Sequence, residues 1–187
     1  MAKTRADNRT RLLQAAEKTS YLLGFGNTAI ADIAKEARVP LGNVYYYFKT
    51  KDEIGDAIVE LRASRFRKLL QEFDKTDSPK ERLCAFVQIK IKNREQLAHS
   101  GCPVGTLCSE LRKLGGAAAG KPKILFVMAL DWMEKQFREL GKGAGSRGLA
   151  VQLLSATQGV SVLAHTFHDP SLIDQEAARL KKWIRGL

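Results

Sequence analysis

Residues 42–51 read GNVYYYFKTK, in which a Gly-Asn pair is followed by three tyrosines, a phenylalanine and two lysines. On a helix, residues four apart share a face, so Val44 and Phe48 are predicted to anchor this segment in a core. Adjacent tyrosines cannot all face that core, and Tyr47 lies between the two faces. The residues predicted to point away from the core are Gly42, Asn43, Tyr45 and Tyr46. An ordinary amphipathic helix with half-buried tyrosines is the alternative interpretation.

The residues just before this segment predict another short helix. Apolar spacing favours a helix over residues 29–37, and Thr28 is expected to cap it. The tight turn Ala37-Arg38-Val39-Pro40 follows, with Pro40 close to the favoured first position of the next helix, 41–48. Two short helices joined by such a turn are typical of a helix-turn-helix, which lays its second helix in the major groove of DNA.

The exposed face of the second helix carries suitable chemistry for DNA. Asn43 can donate to and accept from a base edge, and Gly42 allows a close approach of the backbone. Tyrosine hydroxyls can contact phosphates, and tyrosine rings can contact thymine methyl groups. Lysines at the end of the helix can meet phosphates. The residues predicted to contact DNA are Thr28, Arg38, Leu41, Gly42, Asn43, Tyr45, Tyr46 and Lys51.

The chain is strongly basic, with 31 Lys and Arg against 20 Asp and Glu, a formal charge of +11. Such a balance favours a polyanionic partner, either nucleic acid or an anionic membrane surface, although scattered lysines are the alternative. Residues 1–51 hold nine Lys and Arg and four Asp and Glu, so the N-terminal part is the more basic per residue. The first cations, Lys3, Arg5, Arg9 and Arg11, predict either a DNA-contacting arm or a solvated terminus.

Several other kinds of protein and site find no support in the sequence. No stretch approaches the ~20 apolar residues of a membrane span, and the N-terminus lacks the apolar run of a signal peptide. We therefore expect a cytoplasmic protein without a membrane partner. Three irregularly placed cysteines argue against a disulfide framework. His99, His165 and His168 show no metal-ligand spacing with these cysteines, so neither a metal nor a cofactor is expected.

A helical period runs through almost the whole chain and predicts an all-α protein. The first three helices are short and the later ones are long, which suggests a small head, residues 1–50, and a larger body, residues 51–187. A flexible connection is expected at residues 115–120. The predicted body helices cover residues 51–73, 79–99, 103–114 and 122–140, then a segment from the 141–148 loop to residue 167, and a last helix after Asp169-Pro170.

Over roughly residues 8–60 the sequence resembles the TetR family of bacterial transcription regulators. The matching positions are Gly24-Phe25, Thr28, Ile33-Ala34, Ala37, Val39-Pro40, Gly42, Val44-Tyr45, Phe48, Lys51 and Ile54. The resemblance implies a nine-helix, all-α homodimer in which residues 1–50 bind DNA and residues 51–187 form a ligand cavity and the dimer interface. Two positions depart from the family pattern, since Pro40 stands where Ser is frequent and Arg38 where Gly is common.

Aromatic and methionine side chains in the body predict a ligand pocket, with plain core packing as the alternative. The predicted ligand contacts are Phe66, Phe86, Ile89, Phe126, Leu130, Met133, Phe137 and Gln158. The resemblance also implies that the last two helices pair with those of a second copy. The predicted interface residues are Leu154, Gly159, Val162, Leu163, Leu172, Leu180 and Trp183. A dimer is expected on physical grounds too, because one short helix covers about half of a typical DNA site.

Cys102 precedes Pro103 at the predicted start of a helix, a position that favours the reactive thiolate. A redox-sensing or electrophile-sensing thiol is therefore one prediction, and a small buried packing residue is the alternative. A Gly-Cys pair at this point is also similar to one subgroup of the family.

The sequence as a whole predicts a DNA-binding regulator and not an enzyme. Glu110, Asp131 and Glu134 lie on apolar-leaning helices and Cys102 is a potential nucleophile, but no base is placed beside it and no phosphate loop occurs. The resemblance implies a repressor that binds a palindromic operator as a dimer and is released by a small-molecule inducer. A thiol-sensing repressor that uses Cys102 and an enzyme with a helical fold are the two alternatives.

Overall fold

The computed structural model describes residues 2–115 and 120–187, with side chains from Asp7 onward. All regular elements in these ranges are helical, which confirms the predicted all-α class. The helices are α1 (Ala2–Leu23), α2 (Ile30–Ala37), α3 (Leu41–Tyr47), α4 (Lys51–Phe73), α5 (Pro79–Lys92), α6 (Arg94–Ser100), α7 (Pro103–Leu114), α8 (Lys123–Glu139), α9 (Ser146–Phe167) and α10 (Ser171–Gly186), with a 3-10 turn at Gly143–Gly145. None of these helices has the length and apolar character that crossing a bilayer requires. The side chains of Lys3 and Arg5 and the connection at 116–119 lie outside the described residues.

The helix predicted over residues 79–99 is divided at Asn93. This residue leaves the helical conformation, with φ −111° and ψ 15°, so α5 ends and α6 begins on either side of it. Its side-chain amide donates to the Ile89 carbonyl over 2.8 Å and satisfies an acceptor at the end of α5. Helix α9 also begins earlier than predicted, at Ser146 inside the expected 141–148 loop. The order of the other helices is as predicted.

The start of α2 is capped differently from the prediction. Ala29 is the N-cap residue, and its N–H donates to the Asp32 carboxylate over 2.9 Å. Thr28 is buried, and its hydroxyl donates to the carbonyl of Gly24 over 2.7 Å. The predicted cap is therefore wrong, because Asp32 already satisfies the helix start while Thr28 stabilises the loop between α1 and α2.

Two compact units divide the chain. The first comprises residues 1–64 and 106–123, and the second comprises residues 65–105 and 124–187. The boundary expected after residue 50 falls inside the first unit, because α4 and α7 both contribute to its core. A Cβ atom at Gly55 would lie 3.0 Å from the Phe25 ring and 3.2 Å from the Leu111 side chain. Such close approach of α4 and α7 to Phe25 leaves no room for a side chain at Gly55.

Helices α5, α8, α9 and α10 supply the main core of the second unit. Its fully buried side chains include Leu83, Met133, Phe137, Leu153 and Ile184. The Trp132 indole donates to the Asp74 carboxylate over 2.8 Å. Arg82 donates to Gln136 over 3.0 Å and to Glu139 over 2.8 Å. These polar contacts hold the linker after α4 and the beginning of α5 against α8.

The loop between α1 and α2 allows a matched test of local strain. Gly24 has φ +84°, and a Cβ atom there would lie 3.1 Å from the Glu110 carboxylate. Because a non-glycine residue in the left-handed region costs about 1–2 kcal/mol, Gly24→Ala should lower the free energy of unfolding by at least that amount. Gly26→Ala is the control, since its Cβ would meet its nearest neighbour at 3.7 Å. Urea denaturation followed by circular dichroism measures both, and equal losses would contradict the role assigned to Gly24.

Candidate nucleic-acid interface

Helix α3 has one buried and one exposed face. Val44 is 0% exposed and Phe48, which follows the helix as its C-cap residue, is 3% exposed. Tyr45 and Tyr46 are 46% and 57% exposed. Tyr47 is half-buried, and its ring meets that of Tyr46 edge to face with centroids 5.1 Å apart. The buried and exposed faces of α3 are therefore those that the sequence predicted, and hydroxyl and amide groups lie on the exposed face.

The turn before α3 is held by a side chain from α1. Arg38 adopts the left-handed conformation, with φ 55° and ψ 44°, and its side chain is exposed. Arg11 donates from its guanidinium to the carbonyl of Ala37 over 2.6 Å and to that of Arg38 over 3.3 Å. Arg11 thus satisfies carbonyl groups at the end of α2 instead of extending as part of a free arm. The basic pattern of the N-terminus gave no signal for this internal role.

Two of the predicted DNA contacts are engaged inside the first unit. Thr28 is 1% exposed. The Lys51 ammonium donates to the Gly26 carbonyl over 2.8 Å and lies 5.1 Å from the centroid of the Phe25 ring. Both residues therefore stabilise the α1–α2 loop. The exposed members of the predicted set are Arg38, Leu41, Gly42, Asn43, Tyr45 and Tyr46.

Gly42 lies open in the first turn of α3. A Cβ atom at this position would meet no heavy atom within 4 Å. Glycine also weakens a helix by about 1 kcal/mol relative to alanine. The fold of the chain therefore gives no reason for glycine at residue 42, whereas the close approach of another molecule would.

Seven of the eight predicted ligand residues form part of a packed core. Phe86, Met133 and Phe137 are buried, and Phe66, Ile89, Phe126 and Leu130 are partly buried against them. The rings of Phe66 and Phe86 meet edge to face at 6.3 Å. Gln158 lies apart from this cluster, where its Oε1 would be 2.8 Å from a Cβ atom at Gly105. An open groove of about 480 Å³ is lined instead by Ile91, Asp174, Ala178, Lys181, Lys182 and Arg185.

The predicted dimer residues fall into two groups. Leu154 and Leu180 are buried in the core of the second unit, with Trp183 partly buried against it, and Leu172 packs on a neighbouring cluster. All four side chains pack against other residues of the same chain. Gly159, Val162 and Leu163 are exposed, the last two by 62% and 50%. Val151 and Phe167 of α9 are also exposed, the latter by 67%, and sequence reasoning missed them because apolar periodicity does not separate a core face from an interface.

Cys102 is a buried residue at the start of α7. Its Sγ accepts from the Gly105 N–H over 3.4 Å and lies 3.7 Å from the Lys90 ammonium. Burial raises the pKa of the Cys84 thiol. Cys108 donates to the carbonyl of Pro122 over 3.3 Å. Within the described ranges, no group of His, Cys, Asp or Glu side chains is arranged to hold a metal ion.

Comparisons with known sequences agree with this geometry. Residues 12–58 match the model of a family described as "Bacterial regulatory proteins, tetR family". The chain is 28% identical over 146 residues to the transcriptional regulator AcuR of Cereibacter sphaeroides, an alignment that covers 77% of this chain and 64% of AcuR. It is 27% identical over 106 residues to the HTH-type transcriptional repressor NemR of Escherichia coli, covering 56% of this chain and 50% of NemR. The chain thus spans less than two thirds of the length of these curated relatives.

Solved structures show the same fold. Escherichia coli NemR in its reduced form is similar with a TM-score of 0.83 at 21% identity, covering 94% of this chain and 96% of that one. A TetR-family regulator from Agrobacterium tumefaciens is similar with a TM-score of 0.86 at 17% identity, covering 95% and 97%. At these identities the likeness is one of fold.

Proposed function

We propose that this chain, which belongs to the TetR family of bacterial regulatory proteins, is a cytoplasmic DNA-binding repressor that recognises a palindromic operator as a homodimer. The observation that carries the proposal is the exposed polar and aromatic face of α3, presented after a turn that Arg11 holds. A small-molecule ligand would release the repressor from DNA by favouring a conformation in which the two reading helices no longer fit successive major grooves.

The residues of the exposed face suit different parts of a DNA site. Asn43 can pair with a base edge, and Leu41 can contact a thymine methyl group. Tyr45 and Tyr46 can donate their hydroxyls to phosphate oxygens. Arg38 brings a positive charge to the turn beside them. Together these groups supply both sequence readout and phosphate contacts.

A second copy of the chain is part of the proposal. One seven-residue helix reads only part of an operator, so two copies related by a two-fold axis would double the contact on a palindrome. The exposed apolar residues of α9, among them Val162, Leu163 and Phe167, support a dimer interface there, because large exposed apolar side chains in a group mark interaction surfaces.

The candidate ligand contacts lie at the edge of the aromatic core of the second unit. Phe66, Ile89, Phe126 and Leu130 are only partly buried and border the aromatic core around Phe86, so they are the candidate contacts of the ligand. Met133 and Phe137 are 0% exposed and would require the core to open before they met a ligand.

Alanine at Asn43 or Tyr46 should weaken DNA binding without affecting the fold. Loss of a good base or phosphate contact is worth about 1–3 kcal/mol, so each variant should bind operator DNA about tenfold or more weakly. Fluorescence anisotropy at about 0.1 M salt, on an operator recovered by selection from random DNA, measures this. Gln71→Ala, an exposed change on α4, is the control. If wild-type protein selects no specific DNA, the proposed function is wrong.

Gly42→Ala should change the stability of the fold and the affinity for DNA in opposite directions. Alanine should stabilise the fold by up to about 1 kcal/mol, because its Cβ meets nothing and glycine is the poorer helix former. The same methyl group should obstruct the approach of DNA and weaken operator binding. Thermal denaturation and anisotropy on one preparation give both quantities. A more stable variant with unchanged DNA affinity would mean that α3 does not approach DNA at Gly42.

A second candidate signal is chemical modification of Cys102. Both groups beside its sulfur, the Gly105 N–H and the Lys90 ammonium, are donors, which suits the anionic sulfur that attacks electrophiles. With an α,β-unsaturated ketone, the sulfur would bond to the β-carbon while the α-carbon takes up a proton. The bulk added at a residue that is 7% exposed would force α7 to shift.

Cys102→Ser should abolish release of DNA by methyl vinyl ketone while leaving DNA affinity in the absence of the ketone unchanged. Cys84→Ser is the control, because burial raises the pKa of the Cys84 thiol and makes it a poor nucleophile. Anisotropy before and after treatment measures release, and mass spectrometry identifies the alkylated cysteine. Release from the Cys102→Ser variant equal to that from wild type would leave Cys102 as a packing residue.

A further inference from the structure

Gly26, in the loop between α1 and α2, is held on both sides by charged side chains. Its N–H donates to the Glu110 carboxylate over 2.8 Å, and its carbonyl accepts from the Lys51 ammonium over 2.8 Å. Lys51 is the first residue of α4, and Glu110 lies on α7, 84 positions along the chain from Gly26. Two helices from distant parts of the sequence therefore converge on one residue of the loop.

The packing beneath this contact is tight. Phe25 is 2% exposed, and the Lys51 ammonium lies over its ring at 5.1 Å from the centroid. A Cβ atom at Gly55 of α4 would lie 3.0 Å from the Phe25 ring and 3.2 Å from Leu111 of α7. Because close-packed interiors transmit displacements instead of absorbing them, a shift of α4 or α7 would move the loop.

The loop leads directly to the helix-turn-helix. Gly26 lies three residues before Ala29, the N-cap of α2, and Thr28 links back to Gly24 by its hydroxyl. Helix α2 in turn buries Ile33, Ala34 and Ala37. Fixing Gly26 therefore fixes the position at which α2 begins, and with it the turn that presents α3.

We propose that Glu110 and Lys51 are positioning residues for DNA recognition, which form a two-sided clamp on Gly26 that sets the position of the α1–α2 loop. The inference rests on the proposed function. Helix α4 runs from the first unit into the second, and α7 begins in the second unit and ends in the first. The clamp thus connects the α1–α2 loop, and through α2 the exposed face of α3, to the two helices that belong to both units. Hydrogen bonds to charged groups suit this role, because they are shorter and stronger than neutral ones.

Amide exchange at Gly26 tests the clamp in the free protein. Gly26 is exposed, so the bond to Glu110 is what shields its N–H from water. On full-length ¹⁵N-labelled protein, Glu110→Ala should raise hydrogen exchange at Gly26 about tenfold or more, as expected for loss of a charged hydrogen bond. Glu110→Gln, whose amide oxygen still accepts, should retain most of the protection. Glu95→Ala removes an equally charged but exposed carboxylate from α6 and should change nothing at Gly26.

Operator affinity tests whether the clamp positions the reading surface. Glu110→Ala should weaken specific DNA binding about tenfold, Glu110→Gln less than threefold, and Glu95→Ala not at all. Unchanged exchange at Gly26 in Glu110→Ala would overturn the clamp. Raised exchange with unchanged DNA affinity would overturn its positioning role. If wild-type protein forms no specific complex with DNA, both the proposed function and the positioning role are wrong. The exchange data would still show whether the clamp exists.

Discussion

The proposed recognition of DNA depends on the burial of Val44 and Phe48, which holds α3 in place. A helix of seven residues is too short to be stable in water by itself, so α3 exists only while its inner face is packed. Two side chains provide that packing and are almost completely removed from solvent. The exposed residues of α3 are consequently available for recognition, because Val44 and Phe48 hold the helix in place.

Charged side chains from other helices hold the segments on either side of α2, the helix that precedes α3. Helix α1 carries Arg11, whose guanidinium binds the carbonyls at the end of α2. The loop at the other end of α2 is bound by Lys51 from α4 and by Glu110 from α7. Both ends of α2 are thus fixed by charged side chains from other helices. These contacts add to the apolar core around the helix-turn-helix, which includes Phe25, Ile33 and Val44.

The sequence could predict the features that depend on local pattern. The helical class, the turn at residues 37–40 and the two faces of α3 follow from apolar spacing, which is strong over short distances. It could not predict that Thr28 and Lys51 turn inward, because their partners Gly24 and Gly26 are backbone groups that carry no signal in the sequence. The sequence marks Glu110 only as a carboxylate on an apolar-leaning helix. Its hydrogen bond to Gly26 could not be predicted, because the two residues lie 84 positions apart. The sequence also could not predict that Leu154 and Leu180 lie in the core of a single chain. The apolar pattern is the same for a residue covered by its own chain and for one covered by a second copy.

The conformation of Arg38 bears on how quickly the chain finds DNA. At φ 55° an arginine costs about 1–2 kcal/mol of folding stability that a glycine would not. Glycine, however, would remove a positive charge from the surface that is proposed to meet the phosphates. Charges at such a surface raise association rates through long-range attraction, and that attraction fades as salt screens it. In the proposed complex, the arginine would therefore make the encounter with DNA faster at low ionic strength, at the expense of a more stable turn.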